Sequence, residues 1–487
     1  MARPSRPAVL FYAGVNLALV QLLALRELSI ALYCGEIVIL IVTVAYFLGQ
    51  AGGYFVSRRL SERAVAIAVG AAALVHVPLV PATRWLSAAC ESRHWPGWIM
   101  PLASIPVALA LTAVYTLFLP RLFPASGAKP RDLARAYTTE LAGFAAGFVI
   151  VGAFPRWTLT SFALVYGTVL VFVAWSAGLG RRATGVTAAL ALAAAVATPW
   201  MDRESEHEWI RTHAEWLKDP RVIHEEHTPY QKITVTEQSD GTRALFLNGI
   251  EYFDSTDLEA FNVQLSRVPV TLRPGARVLI VGGGSLSNVW HASRHASRIT
   301  TVELDARVIE AGKSYFAAYN HLSEVRVPWT VVNDDAKHFL ATTDERFDVV
   351  IVDVPAPFYV QTALLFTREF YELVRARLAD GGILSAYLAG VAGGKDTRIP
   401  GQVLAAIDAV FPEYYVIDSK EAQNGFALAG MRAPATPERL LAVLEGLEVN
   451  VYPREAARAL ASKWPAASFG NLDIVWDINN TFFMPRK

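Results

Sequence analysis

The long apolar runs of this chain are confined to its first 200 residues, and this uneven distribution limits the folds that it can adopt. Hydrophobic residues make up 53% of the 487-residue sequence, and nearly all of the excess over an ordinary soluble protein lies within residues 8–200. The remainder has the composition of a normal globular domain. We therefore expect a membrane part and a soluble part in a chain that is long enough for two or three domains.

Seven segments of the first part are long and apolar enough to be transmembrane helices, since about 20 such residues cross a bilayer. The predicted spans are 8–32, 37–56, 64–82, 97–120, 136–154, 159–180 and 184–200. Lys and Arg concentrate in alternate short loops, which favours a cytoplasmic N-terminus. Seven spans then place the C-terminal domain outside the cytoplasm, unless 184–200 does not cross or another span is miscounted. The side of that domain stays open.

Polar residues within and after the spans raise two further expectations. Arg26, Glu27 and Glu140 lie in or near apolar segments, so they form either a polar site inside the bundle or a structural ion pair. The sequence turns polar after residue 200, with aromatic residues at helical spacing. Residues 201–220 are therefore predicted to be an amphipathic connector.

The soluble part alternates strand and helix patterns. Residues 221–270 predict a small β-rich lead-in, because alternating segments flank turn signals. Residues 271–487 predict an α/β domain with a mostly parallel sheet that is covered on both faces. The expected strands are 277–282, 299–304, 327–333, 347–353, 382–388, 413–418 and 425–429. The clearest helices are 306–318, 366–378 and 400–410.

Candidate ligand-binding residues follow the predicted strands, where ligands of such folds bind. Gly282, Gly283 and Gly284 allow a ligand to approach the backbone closely. Glu303 ends the next strand, about 20 residues on, where a carboxylate can bind both hydroxyls of a ribose. One acid of the Asp334-Asp335 pair is placed to meet an adenine amino group.

A further acid, Asp353, ends the apolar strand in "FDVVIVDVPAP". At that strand end a carboxylate lies over the expected pocket and serves as a base, as a ligand for a cation, or only as a loop cap.

Composition and residue spacing argue against several other classes of protein. The net charge is zero, which argues against nucleic acid as a partner. Two cysteines are too few for a disulfide framework or a thiolate zinc site. Two histidine pairs, His224 with His227 and His291 with His295, lack a third ligand at suitable spacing, so we expect no metal.

Several stretches from residue 229 to about 390 resemble the spermidine synthase (polyamine aminopropyltransferase) family. They are "PYQKITV", "LFLNGIEYFDSTD", "VLIVGGG", "VELDARVIEAGKSYF", "DDAKHFL", "FDVVIVDVPAP" and "LFTREFYELVRARLADGGIL". The first part is similar to the helical bundle that is fused to such domains in some bacterial proteins, with "RAYTTELAGFAAGFVIVG" as one matching stretch. The resemblance implies an integral protein of the bacterial inner membrane.

The resemblance also implies a Rossmann-type, methyltransferase-like sheet of seven strands and a decarboxylated S-adenosylmethionine donor. It implies that Gln231 contacts the nucleoside donor, that Glu303 binds its ribose and that Asp335 meets the adenine. Asp353 would deprotonate the incoming amine. Relatives of this family often form dimers through the sheet domain, so a homodimer is a further expectation.

The chain departs from the family where cationic groups are bound. Ser285 replaces the acid that holds the aminopropyl ammonium, and Leu286 and Ser287 replace glycines. The Tyr-His-Glu run of the amine pocket reads Phe261-Asn262-Val263, and a second acid is Ala356. An ammonium is costly to bury without a partner.

These departures predict a membrane-bound transferase with S-adenosylmethionine or its decarboxylated form as donor and an unknown, less cationic acceptor. The apolar side chains of Phe261, Leu286, Val354 and Ala356 favour a more apolar acceptor. Two alternatives remain open at this stage. One is a catalytically degenerate protein of the same fold that binds a ligand or acts as a scaffold, and the other is a regulated transporter.

Overall fold

The chain divides into two units, which the computed structural model describes for residues 6–28, 36–95, 99, 106, 109, 112–122, 129–153, 157–255, 258–357, 360–420 and 424–471. The first unit contains the described residues up to Asp240 together with Leu247–Ile250. The second contains Gly241–Phe246 and the described residues from Glu251 onward. The boundary falls inside the predicted β-rich lead-in.

Long helices dominate the first unit. The α-helices are Arg6–Leu23, Glu36–Ser57, Glu62–Val75, Leu79–Ser92, Pro130–Ala153, Leu159–Ser176 and Arg181–His213. A π-helical turn, Ala24–Leu28, follows the first of them, and short 3-10 turns lie at Tyr115–Leu117 and Leu119–Arg121. Within the described ranges, five helices are long and apolar enough to cross a membrane by length and composition, or six if a bent pair counts as one span.

Two of the seven predicted spans do not correspond to a single described helix. The predicted span 64–82 is broken: one helix ends at Val75 and the next begins at Leu79, with a bend of 57° between them. Pro78 at the break has no N–H to continue a helix, which explains the interruption. The predicted span 97–120 lies mostly outside the described residues.

The last helix of this unit is longer than its apolar segment. Arg181–His213 passes Pro199 and continues through residues 201–213, which were predicted as the start of a separate connector. Trp209 and Ile210 in this polar extension are buried, so its packing, rather than its hydropathy, stabilises the extra turns.

Small residues allow close helix packing in the bundle. A Cβ atom on Gly143 would lie 2.0 Å from the backbone oxygen of Phe11, and one on Gly147 would lie 2.7 Å from Cβ of Ala18. The predicted intramembrane charges have distinct partners. Glu140 accepts a hydrogen bond of 3.2 Å from the Tyr54 hydroxyl, and Arg26 donates to the backbone oxygen of Thr228.

Short strands follow the helices. Strand β1 (Arg221–His227) pairs antiparallel with β2 (Lys232–Glu237) in the first unit. Strands β3 (Arg243–Leu247) and β4 (Ile250–Asp254) come next and are joined through Asn248 and Gly249. Both turn residues have positive φ, 52° and 76°, as a two-residue hairpin turn of type I′ requires.

An eight-stranded sheet forms the centre of the second unit. Its strands are β5 (Ala276–Gly282), β6 (Ala296–Glu303), β7 (Trp329–Asn333), β8 (Phe347–Asp353), β9 (Leu378–Tyr387), β10 (Glu413–Ser419), β11 (Gly425–Gly430) and β12 (Val449–Tyr452). Their order is β12-β10-β11-β9-β8-β5-β6-β7. Strands β5 to β9 pair in parallel, whereas β10, β11 and β12 form antiparallel pairs at one end.

The sheet has eight strands rather than the expected seven. Seven of the eight strands match predicted segments, and the additional strand is β12, which pairs with Val416–Ser419 of β10 at the edge of the sheet. Only four residues long, β12 is too short for its alternation to be recognised as a strand.

Helices cover both faces of this sheet, as the alternating pattern predicted. They are Leu258–Asn262, Val268–Leu272, Ser287–Ser293, Ala306–Tyr315, Ala336–Thr342, Val360–Ala363, Arg368–Arg377, Arg398–Asp408, Pro437–Leu444 and Arg454–Ala461. Two hydrophobic cores result. Leu279, Val350 and Leu384 belong to one core, and Ile280, Ile351 and Ile383 belong to the other. The doubly covered α/β fold is therefore confirmed.

Candidate active site

Most of the predicted site residues meet at one edge of the sheet. Strands β8, β5, β6 and β7 are adjacent and parallel, so their carboxyl ends lie side by side. Gly282 at the end of β5 pairs with Asp353 at the end of β8, and Glu303 at the end of β6 pairs with Asn333 of β7. The topology thus brings the glycine loop between the two acids.

The first two glycines have conformations that other residues rarely adopt. The φ angles of Gly282 and Gly283 are 77° and 67°. A Cβ atom on Gly282 would lie 2.1 Å from the backbone oxygen of Asp353, and the N–H of Gly283 donates to that oxygen at 2.9 Å. This part of the loop therefore requires glycine and is fixed directly against the end of β8.

The third glycine positions Glu303. The backbone N–H of Gly284 donates to Oε2 of Glu303 at 3.1 Å, and that of Asp305 donates to Oε1 at 2.9 Å. A Cβ atom on Gly284 would lie only 2.7 Å from Oε2. Burial raises the pKa of Glu303 to about 7, against the lowering effect of these hydrogen bonds. Its carboxylate is held rigidly, and each oxygen has further lone pairs for a ligand.

Asp353 is buried beside the loop and has specific polar neighbours. The side-chain amide of Asn288 donates to its Oδ2, and the hydroxyl of Ser266 donates to Oδ1 of Asn288. The Tyr252 hydroxyl lies 3.4 Å from the backbone oxygen of Asp353. Burial raises the pKa of Asp353 to about 6, while hydrogen bonds from Asn288 and Tyr252 lower it. A carboxyl group of this kind can exchange a proton near neutral pH.

The acids after β7 make local hydrogen bonds. Asp335 caps the helix Ala336–Thr342, because its Oδ1 accepts from the N–H groups of Lys337 at 2.7 Å and His338 at 3.3 Å. Oδ2 of Asp334 lies 2.8 Å from Nδ1 of His338. The backbone N–H of Asp334 donates to the oxygen of Glu303 at 3.1 Å, which keeps the pair next to the glycine loop.

The second half of the loop is packed into the protein. Ser285 is buried, its hydroxyl donates to that of Ser287 at 3.2 Å, and its backbone oxygen accepts from Asn320 at 2.6 Å. Leu286 has a left-handed φ of 66° and is fully buried in a hydrophobic core. Leu286 therefore contributes to packing, and its predicted contribution to an apolar acceptor pocket is wrong.

Gln231 belongs to the other unit, in the turn between β1 and β2. The hydroxyl of Thr228 accepts from the backbone N–H groups of Tyr230 and Gln231, both at 3.1 Å. The backbone oxygen of Thr228 also accepts from Arg26 of the helical bundle. The turn is thus fixed by local hydrogen bonds and by a bundle arginine.

Sequence reasoning missed two residues that contact Asp353, namely Asn288 and Tyr252. Asn288 lies on the helix after the glycine loop, and Tyr252 lies on β4, 101 residues before Asp353. The position of Asn288 on that helix was an available signal. No local pattern marks Tyr252, because its role depends on long-range strand arrangement.

Part of the C-terminal half is similar to a known protein family. The sequence profile of the family described as "Spermine/spermidine synthase domain" matches residues 260–390. This range contains the glycine loop, Glu303, Asp335 and Asp353. Residues 260–390 of the C-terminal half are therefore similar to a spermine/spermidine synthase domain.

Individual relatives agree with this class. Polyamine aminopropyltransferase 1 of Pseudomonas aeruginosa is 33% identical over 166 residues, which are 34% of this chain and 58% of the relative. Polyamine aminopropyltransferase of Pectobacterium atrosepticum is 32% identical over 185 residues, 37% of this chain and 64% of the relative. The chain thus covers roughly three fifths of the length of these relatives.

Solved structures give a weaker likeness. Spermidine synthase from Thermotoga maritima has 24% sequence identity and a TM-score of 0.41, covering 50% of this chain and 84% of that one. A probable spermidine synthase from Corynebacterium glutamicum has 20% identity and a TM-score of 0.39, covering 51% and 95%.

Proposed function

We propose that this protein is a membrane-bound transferase that moves an alkyl group from a sulfonium nucleoside to an amine. The main observation in support of this proposal is that the glycine loop is hydrogen-bonded at two points. The N–H of Gly283 donates to Asp353, and the N–H of Gly284 donates to Glu303. Two acids, the partly buried Glu303 and the buried Asp353, thus lie on the two sides of one backbone cradle, which supports the binding of a ribose by the first and a catalytic role for the second. Relatives named polyamine aminopropyltransferases support the reaction class.

The proposed roles follow from this arrangement. Glu303 binds the ribose hydroxyls, Asp335 or its neighbour Asp334 meets the adenine, and the loop from Gly282 to Ser285 borders the sulfonium tail. The donor is S-adenosylmethionine or its decarboxylated form. A contact of Gln231 to the donor, which the family resemblance implies, stays a prediction.

Asp353 acts as the base in this scheme. It takes a proton from the incoming ammonium, which leaves a neutral amine with a free electron pair. The amine nitrogen then bonds to a carbon attached to the sulfonium sulfur, and the C–S electron pair passes to the sulfur, which becomes a neutral thioether. Ionised Asp353 is required, so the rate falls as the pH drops below its pKa of about 6.

The membrane association rests on the helices of the first unit. Five of them are long and apolar enough to span a bilayer, and side chains such as Phe47, Phe55, Val149 and Val196 are exposed on them. Exposed large apolar residues on a helix bundle fit a lipid environment. The sulfonium donor is made in the cytosol, so we propose that the synthase domain faces the cytoplasm.

The function is tested on the full-length protein in lipid nanodiscs. S-adenosylmethionine, its decarboxylated form and methylthioadenosine are titrated by calorimetry, and at least one is expected to bind. Glu303→Ala should abolish this binding, whereas Glu345→Ala, at an exposed glutamate, should leave it unchanged. Absence of binding by all three ligands overturns the proposal and favours a scaffold role.

A reporter fused after Lys487 tests the side of the membrane. A reporter that is active only in the cytoplasm is expected to be active in this fusion. Activity of an extracytoplasmic reporter instead would contradict a cytosolic donor and therefore the enzymatic function.

A further inference from the structure

Asp353 lies next to aromatic side chains on the same face of the sheet. Val352 of β8 pairs with Ala386 of β9, so Asp353 and Tyr387 are the next residues of two adjacent parallel strands. Tyr387 in turn pairs with Phe426 across the antiparallel strands β9 and β11. Paired residues on neighbouring strands point to one face. Asp353, Tyr387 and Phe426 therefore form a row across three strands.

A third ring comes from the helix Leu258–Asn262, which covers this face. The ring of Phe261 lies 5.6 Å from that of Tyr387 and 5.2 Å from that of Phe426, with both pairs edge to face. The rings of Tyr387 and Phe426 are 6.2 Å apart. We call Phe261, Tyr387 and Phe426 the aromatic wall. Phe261 and Tyr387 remain partly exposed, so a ligand can reach them.

The carboxylate of Asp353 acts electrostatically on Tyr387 of the aromatic wall. Burial and the nearby carboxylate of Asp353 raise the pKa of Tyr387 to about 12, so its phenol stays neutral. Tyr252 borders Asp353 from β4, with its hydroxyl 3.4 Å from the Asp353 backbone oxygen. The buried carboxylate thus has two neutral phenols as neighbours, and the rings of Phe261 and Phe426 pack against that of Tyr387. The Asp353 carboxylate can bind an ammonium through its charge, and the rings beyond it offer apolar surface.

Two other acids of this sheet, Asp418 and Glu303, already accept hydrogen bonds. Oδ1 of Asp418 on β10 accepts from the N–H of Ala392 at 3.0 Å, and its Oδ2 accepts from the N–H of Gly393 at 2.9 Å. The Tyr452 hydroxyl also donates to Oδ2, at 2.7 Å. Glu303 is held by two backbone N–H groups. Among the residues that the structure describes, a second ammonium that entered along the aromatic wall would meet rings instead of a carboxylate, and its burial would be costly.

We propose that the acceptor is a primary monoamine with an apolar substituent. This inference rests on the proposed transferase function and names the substrate class of that same site. The amine nitrogen binds at Asp353, and the apolar part lies along the aromatic wall. A diamine of the same length is a poor ligand, because its far ammonium is desolvated against the partly exposed rings of Phe261 and Tyr387 rather than paired with a carboxylate.

A matched pair of ligands tests the inference on full-length protein in nanodiscs of zwitterionic lipid. n-Hexylamine and 1,6-diaminohexane are titrated with methylthioadenosine at saturation, and empty nanodiscs correct for partition into lipid. Hexylamine is expected to bind at least about tenfold more tightly, the equivalent of about 1.4 kcal/mol. Equal or tighter binding of the diamine overturns the inference. Failure of methylthioadenosine, S-adenosylmethionine and its decarboxylated form all to bind would instead overturn the proposed function.

Variants of the aromatic wall separate a binding role from a structural one. Tyr387→Leu and Phe261→Leu should each weaken hexylamine binding about tenfold while methylthioadenosine binding is retained, since each removes the flat ring surface against which the apolar part of the amine packs. Tyr387→Phe keeps the ring and should keep the affinity. Unchanged hexylamine affinity in leucine variants that still bind methylthioadenosine would contradict the proposed wall.

Discussion

The side-chain amide of Asn288 donates a hydrogen bond to the carboxylate of Asp353, and this bond fixes the orientation of both groups. The Ser266 hydroxyl donates to Oδ1 of Asn288, so the nitrogen of the amide must face Asp353. Both Asn288 and Ser266 are fully buried. A hydrogen bond donated to a carboxylate favours its ionised form. In the proposed reaction, Asn288 is therefore a positioning residue that keeps Asp353 available as a base.

Asn288→Ala should raise the pKa of Asp353 above its value of about 6, because burial remains while a hydrogen bond to the charged form is lost. The acidic limb of the pH–rate profile should move to higher pH by the same amount. Steady-state rates with hexylamine between pH 5 and 9 measure this shift. Asn320→Ala removes a comparable buried amide that bonds to Ser285, and its profile should match the parent protein. A profile unchanged by Asn288→Ala would refute the positioning role.

Asp353→Asn should separate catalysis from ligand binding. The amide cannot accept the proton of the amine, so kcat should fall by about 10²-fold or more, whereas methylthioadenosine affinity should persist. Calorimetry and single-turnover kinetics on the same preparation measure both quantities. A variant that keeps its kcat would show that Asp353 is not the base.

The same substitution should lower kcat but increase the stability of the folded protein. Burial raises the folded-state pKa of Asp353 from 3.8 to about 6, so the folded state favours the protonated form. Its favourable contribution is fully present below pH 3.8 and is lost as the pH rises through about 6. Asp353→Asn should therefore raise the melting temperature at pH 8, and the gain should be much smaller at pH 4.5. A gain that is independent of pH would contradict this account.

Local sequence patterns were sufficient to predict the strands that form the candidate site, but not the side-chain contacts between those strands and more distant segments. Glu303 and Asp353 end β6 and β8 as predicted, because an apolar run that ends in an acid is visible within ten residues of sequence. The carboxyl ends of parallel strands meet at one edge, so their proximity also followed. The roles assigned to these acids stay predictions.

Contacts between distant segments were not predictable in this way. Tyr252 contacts Asp353 because of where strand β4 lies. Asn288 contacts Asp353 because of the rotation of its helix about the helix axis. The periodicity of the sequence specifies neither. The burial of Leu286 also depends on packing: an exposed apolar side chain in the loop and a core residue have the same sequence pattern. The break before Leu79 was recognisable from Pro78, but the hydropathy of 64–82 concealed it.

The close contact between Gly284 and Glu303 predicts a selective loss of ligand binding. In Gly284→Ala the new methyl group would lie 2.7 Å from Oε2 of Glu303 and 2.8 Å from Cγ1 of Val308. The carboxylate must move away from its backbone donor, so methylthioadenosine affinity should fall by about tenfold or more. Gly470→Ala, where a Cβ atom has no neighbour within 4 Å, is the matched control and should bind normally. Equal affinities in the two variants would contradict the assigned contact.

A buried charge network in the first unit makes a separate prediction about stability. Nζ of Lys232 lies 2.8 Å from Oε2 of Glu206 and 2.9 Å from Oε1 of Glu225. Arg84 pairs with Glu206 at 3.2 Å and with Asp202 at 2.5 Å. The network joins β1 and β2 to the helices Leu79–Ser92 and Arg181–His213. Lys232 and Arg84 are almost completely buried, so each cation balances acids that have little access to water.

Lys232→Met should destabilise the protein strongly, because it leaves Glu206 and Glu225 near each other without this cation. Removal of one partner from a buried ion pair costs about 3–5 kcal/mol. Burial already raises the pKa of Glu225 to about 7, and Lys232 lowers it, so the variant should bind a proton there at still higher pH. The loss in melting temperature should therefore be larger at pH 8.5 than at pH 6.

Arg211→Ala breaks an exposed pair with Glu208 and should change the free energy of unfolding by less than about 1 kcal/mol. Similar melting temperatures for Lys232→Met and Arg211→Ala at pH 8.5 would show that the network does not stabilise this junction.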